Sequence, residues 1–178
     1  MSDNLANYPM TGCTTKAGLA AGTTTTLTTA NLSLYALRGK AYTKAAASNA
    51  ATPTLDALTG VAFLPVPAGT ATSGGVEGFG WGTVFVVGYN AAGTLQVIQG
   101  SIEKTDSRVV ASSTFQQTVP KFPILPDAFC PVGYIVTKTD STASSWTFGA
   151  SNLAGPPTGV LHTYTDCMLG LPDRPQAS

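Results

Sequence analysis

Short runs of β-branched and aromatic residues, broken by glycine, proline and asparagine, recur along this chain, and no stretch has the apolar spacing of a strong amphipathic helix. Branched and aromatic side chains fit a pleated, half-buried surface, so sheet is the structure most open to such a sequence. Residues 23–29 (TTTTLTT) and 31–42 read as two strands with a turn at 28–31; in the second, Leu32, Leu34 and Ala36 alternate with Ser33, Tyr35 and Leu37. The clearest local signal is a hairpin, with β runs at 83–89 and 94–102 flanking Asn90-Ala91-Ala92-Gly93, where Gly93 supplies the positive-φ position. Its second run sets Leu95 and Val97 against Gln96 and Ile98, which predicts a sheet covered on both faces. Three more strands are expected at 132–139, 145–149 and 160–165, with a turn at 140–143.

Other segments resist regular structure. The alanine-rich stretch 45–51 is compatible with one helical turn, which Pro53 would end. Pro65 and Pro67 exclude a central strand at 63–67. Residues 72–82 (TSGGVEGFGWG) read as a glycine-rich loop. Between 115 and 131, Pro120, Pro123, Pro126 and Pro131 hold an extended path while Phe115, Phe122, Leu125 and Phe129 supply anchors. The pattern predicts an all-β protein: a single β-sandwich or barrel-like domain over 22–170, an N-terminal arm over 1–21, a C-terminal tail over 171–178, and long Pro/Gly-rich loops. No fixed-period repeat points to a solenoid.

Composition narrows the function. Only 10% of residues are Asp, Glu, Lys or Arg, against about 25% in an ordinary soluble domain. Formal net charge is zero, so little repulsion separates one copy from the next. A surface so poor in charge suits coverage by other protein. Nine basic residues, scattered and matched by nine acidic ones, make no nucleic-acid footprint. No apolar run is long enough for a membrane helix, and MSDNLANYPM lacks the basic start and apolar core of a signal peptide, so synthesis in a cytoplasm is expected. Cys13, Cys130 and Cys167 lie far apart without metal-ligand spacing and read as free, buried thiols.

Nothing frames a catalytic centre, a cofactor or a metal. His162 is the only histidine; strand alternation sets Asp166 on its face with Tyr164 between them, and the favoured reading is a structural strand histidine. The carboxylates offer no close pair for glycoside hydrolysis and no calcium-loop spacing. The glycines of 74–82 are followed by a β run and no Walker lysine, which excludes a phosphate loop. Phe79 and Trp81 either insert into a partner or fold back on the core. Tyr8, Phe79, Trp81, Phe115, Phe122 and Phe129 are therefore the candidate protein-contact residues.

Residues 23–29, LYALRGKAYTKAAASNAATPT, TVFVVGYNAAGTLQV, KFPILPDAFCPVGYIVTK, SWTFGASNL and the ending LPDRPQAS together resemble the small virion structural proteins of tailed bacteriophages, most closely the capsid decoration, or cement, proteins. The resemblance implies a mostly β homotrimer on the capsid exterior. There it would stabilise the shell through contacts with the major capsid protein and with copies of itself, some made by terminal arms. Two other classes share the composition: a tail, collar or fibre component, and a host- or glycan-binding module stacking sugars on Trp81, Trp146 and nearby tyrosines.

Overall fold

The computed structural model describes residues 10–71, 78–106 and 113–176, and every regular element among them is a strand. The strands are β1 (Gly12–Cys13), β2 (Leu19–Ala21), β3 (Leu27–Thr29), β4 (Ser33–Leu37), β5 (Lys40–Lys44), β6 (Ala47–Ala50), β7 (Thr70–Ala71), β8 (Gly78–Tyr89), β9 (Leu95–Thr105), β10 (Cys130–Thr139) and β11 (Val160–Asp166). The protein is all-β, as its sequence predicts.

β8 is the axis. It pairs antiparallel with β10 on one side and β9 on the other; β11 lies outside β10, and short β7 pairs with the start of β8. From Gly82 to Tyr89 every residue is buried, as is all of β10. Strands covered on both faces read as continuous apolar runs, and Val84-Phe85-Val86-Val87 and Tyr134-Ile135-Val136 are such runs. On one face Phe85, Val87, Val97 and Ile135 meet two small three-stranded sheets, β1-β4-β5 and β2-β3-β6, together with Phe63, Val66, Trp146 and Phe148. Phe85 takes Phe63 and Trp146 at interplanar angles of 81° and 66°, the edge-on geometry aromatic quadrupoles favour.

The other face is covered by irregular chain. Val84, Tyr134 and Val136 pack under Phe115, Phe122 and Leu171, and Val86 and Ile98 under Phe129, Phe122 and Leu125. Two polar ties hold this cover down: Lys138 Nζ donates to the Ser113 carbonyl at 2.8 Å, and Gln176 N–H donates to the Tyr134 hydroxyl at 3.0 Å. Burial holds the Lys138 pKa below its usual range, with Asp106 opposing the shift. The result is a sandwich in which one face of the main sheet meets sheet and the other meets extended loops.

Several boundaries differ from expectation, each for a local reason. Of the N-terminal segment read as an arm, residues 10–21 belong to the β domain, forming β1 and β2 and burying Cys13, Ala17 and Leu19; residues 1–9 lie outside the described residues. Of the C-terminal segment read as a tail, Leu171 and Gln176 lie on the sheet; residues 177–178 are outside the described residues. The run 31–42 is two strands, because Arg38 and Gly39 take φ of +49° and +78°, a two-residue hairpin turn. Its buried face is Ser33, Tyr35 and Leu37, while Leu32 and Leu34 are exposed. Residues 23–26 turn, with Gly22 N–H donating to Thr26 O at 2.9 Å, so β3 begins only at Leu27.

The alanine stretch forms β6, not a helical turn, since one isolated turn has no nucleus to sustain it and β3 offers a ladder. No strand forms at 145–149; Trp146 makes a single bridge to Val66 and buries its ring. Residues 78–82, read as loop, begin β8, and 72–77 lie outside the described residues. Glycine serves close approach there, because a Cβ at Gly82 would come within 2.7 Å of the Phe115 ring.

The hairpin of β8 and β9 forms as expected, with Gly93 at φ +71° and the Asn90 side-chain oxygen accepting from Ala92 and Thr94 N–H at 2.9 and 3.0 Å. Beyond it, the outer edge of β9 is sealed. Ala57 N–H donates to Val97 O at 2.9 Å, Gln99 N–H to Asp56 Oδ2 at 2.7 Å, and Ser101 N–H to Lys121 O at 3.3 Å. Asp56, 6% exposed, also accepts from Leu58 and Thr59 N–H through Oδ1, so one carboxylate folds its own loop and fastens it to the sheet. Substituting Asp56→Ala removes the acceptor of three backbone donors, those of Leu58, Thr59 and Gln99, and is expected to cost about 2–4 kcal/mol, measured by urea unfolding; a loss below ~1 kcal/mol would deny Asp56 this role.

Candidate interaction surface

The aromatic residues singled out in the sequence divide by environment. Phe129 is 1% exposed and packs on Val86 and Ile98, so it is a core residue and not a contact residue; the bend at 126–129, with Phe129 N–H donating to Pro126 O at 3.0 Å, turns its ring inward. Phe79 and Trp81 are half-buried and engaged within the chain. Their rings meet edge to face, Trp81 packs against the main core, and the Lys104 ammonium sits 3.6 Å from the Phe79 centroid. This is the fold-back arrangement. Phe115 and Phe122 are also half-buried, their inner faces on the sheet. They wall a groove of about 540 Å³ with Val119, Pro120, Lys121 and Arg174. Tyr8 lies outside the described residues. Trp146 is fully buried and its Nε1–H donates to Asn152 O at 3.1 Å, which leaves no face for stacking a sugar.

Sequence reasoning missed a cluster of exposed apolar side chains. Leu55, Leu58, Val61 and Leu64 are 52%, 49%, 61% and 65% exposed, all on the loop that Asp56 folds, and Ile124 on the proline segment is 86% exposed. Scattered exposed leucines need no explanation, whereas several on one short, internally bonded loop point to a contact surface. A signal for them exists: from Ala45 to Val76 the only charged residue is Asp56, and it is buried. The exposed side of this loop therefore carries no charge. Among the described residues one surface ion pair, Arg38 to Asp127 at 2.9 Å, lies at the proline segment, both side chains largely exposed; such a pair contributes little stability.

His162 is part of the packing. Its ring lies 4.6 Å from that of Trp146, and Nδ1 is 3.0 Å from the Thr137 hydroxyl. Asp166 is on the same face but accepts from Leu19 N–H at 2.9 Å, tying β11 to β2. Nε2 and the Tyr164 hydroxyl are buried with no well-formed hydrogen bond among the described residues. Burial pushes the imidazole down to about 4; the Asn152 carbonyl, poorly placed for a proper bond to the ring, offsets only part of this. All three thiols are buried, and desolvation pushes Cys130 up to about 12 and Cys167 up to about 11, so these two stay protonated and unreactive at neutral pH. Among the described residues no three His, Cys, Asp or Glu side chains gather as a metal-holding group.

Compared with known proteins, the chain matches no family model, no curated sequence and no solved structure.

The imidazole shift has a definite sign. The unfolded histidine titrates near 6.5 and the folded one near 4, so in between the unfolded chain binds the extra proton and stability falls as pH falls. Relative to His162→Gln, the wild type is expected to lose at most about 3 kcal/mol between pH 6.5 and 4, read from urea midpoints across that range. Parallel pH profiles for the two proteins would show that His162 is not held neutral. In the folded protein the three thiols are expected to react with a thiol reagent only on unfolding; rapid labelling of any of them in buffer would contradict their burial.

Proposed function

We propose that this chain is a non-enzymatic structural protein of a tailed-bacteriophage virion, decorating the capsid exterior and stabilising it through repeated contacts with the major capsid protein and with copies of itself. The observation that carries the reading is the uncharged loop bearing exposed Leu55, Leu58, Val61 and Leu64, held in shape by the buried Asp56 carboxylate. A preformed apolar loop loses little conformational freedom on docking, which favours association between proteins. Many such contacts, each weak, become strong when symmetry repeats them across a shell. The low charge content supports the same role, since little ionic surface must be desolvated at each contact. The phage setting comes from the family resemblance of the sequence.

The test is co-sedimentation with expanded, undecorated shells from the virus that encodes the chain. Saturable binding is expected, with the double variant Leu58→Glu/Leu64→Glu folded but bound at least ~10-fold more weakly, as desolvating two carboxylates at an apolar contact demands. Absence of saturable binding, or binding indifferent to the double variant, would overturn the reading or its assignment to this loop, respectively.

A further inference from the structure

The main sheet has two long edges, and only one is sealed. Backbone and carboxylate partners from Asp56, Ala57, Lys121 and Gln116 cap β9 along its outer side. β11 forms the opposite edge, paired to β10 without a register break from Val160 to Asp166. The bonds Cys167 N–H to Val132 O at 3.0 Å and Asp140 N–H to Gly159 O at 2.9 Å set the parity of that ladder. Leu161, Thr163 and Thr165 therefore bond inward to β10, and the peptide groups of His162 and Tyr164 point outward. No backbone hydrogen bond joins those outward groups to another strand or loop among the described residues. β2 flanks only the Asp166 end.

An open edge is a template for another strand, and proteins that avoid pairing blunt it with lysine, proline or a bulge. β11 (VLHTYTD) has none of these at its centre. The outer strand of the β1-β4-β5 sheet, by contrast, carries Lys40 and Lys44. We infer that β11 pairs edge to edge with β11 of a second copy, antiparallel and centred on Thr163, joining the two main sheets into one.

Three observations select a second copy as the occupant. First, the strand is self-complementary: centring on Thr163 sets His162 opposite Tyr164 of the other copy, so the outward groups of each strand face those of the other. Second, the chain has zero net charge, and the centre of β11 has no charge to repel its twin. Third, the far edge of the sheet is capped, so pairing through β11 closes as a two-fold dimer and does not extend into a filament. The inference rests on the proposed function only in expecting copies of the chain to meet. It departs from the three-fold arrangement the resemblance implies.

Two variants and one mass measurement test it. Light scattering on the sized wild-type protein is expected to give twice the chain mass of 18.1 kDa. Thr163 is half-buried, its side chain standing beside the proposed two-fold axis. Thr163→Lys sets two ammonium groups against each other and is expected to weaken the dimer by at least about tenfold with the circular dichroism unchanged. Residues opposite each other in a non-hydrogen-bonded pair have Cα atoms about 4.5 Å apart, within disulfide range. Thr163→Cys is thus expected to cross-link on mild oxidation of the folded protein, the buried native thiols being alkylated during unfolding. Thr118→Cys, near the capped edge, is not expected to cross-link. A monomeric or trimeric wild-type mass, or a dimer unmoved by Thr163→Lys and not cross-linked by Thr163→Cys, would overturn the pairing. Shell binding that survives such a result would leave the proposed function standing; a Thr163-dependent dimer that binds no shell would overturn that function and leave the pairing.

Discussion

A sheet that is apolar on both faces must find two covers, and the rest of this architecture follows from that requirement. β8 and β10 place valine, phenylalanine, isoleucine and tyrosine on both sides, so neither face can be left to water without exposing far more apolar area than a domain of this size tolerates. The chain before β8 supplies most of one cover as two small sheets with Phe63 and Val66, and the segment between β10 and β11 completes it with Trp146 and Phe148. The chain after β9 and β11 supplies the other as extended segments pinned by Phe115, Phe122, Phe129 and Leu171. Proline suits the second cover: it holds a segment straight without needing ladder partners, which irregular chain over a sheet face does not have.

Threonine is how so uncharged a molecule accommodates polar atoms inside. Thr83 donates to Ser101 O at 2.9 Å, Thr139 to Pro67 O at 2.7 Å, and the Thr105 hydroxyl accepts from Gly80 N–H at 3.1 Å. A hydroxyl whose bond is made costs little on burial, whereas a charge demands a partner of opposite sign. The branched side chain also keeps the pleat filled. Strand formation, core polarity and low surface charge thus draw on one residue type.

How much could be read beforehand depended on whether the deciding contact was local. The hairpin at Asn90–Gly93 was legible because the turn residues and the flanking runs lie side by side in sequence. So was coverage of both faces, from Val97 and Ile98 on successive positions of β9. The turn at Arg38-Gly39 was missed because arginine at positive φ is not a turn signal; Thr11 Oγ1 accepts from Arg38 N–H and Met10 O from Gly39 N–H, two bonds that help hold it. The strand at Ala47–Ala50 was missed because its partner, β3, contradicts the helix preference of alanine. The environment of Phe129 was invisible for the same reason: an aromatic among prolines reads as surface until β8 is placed beneath it. The exposed loop at Leu55–Leu64 was missed: its missing charges were a signal, but only the position of Asp56 shows which side faces out.

The tie between Gln176 and Tyr134 also bears on how the molecule comes into being. Tyr134 and Val136 are synthesised before Leu171 and Gln176, which help cover them. During synthesis, one face of the sheet is therefore only partly roofed, and the last described residues to leave the ribosome are among those that close it. Until residues 171–176 emerge, Tyr134 and Val136 lack part of their cover, and apolar surface left open in this way is what makes a partly folded chain prone to aggregate.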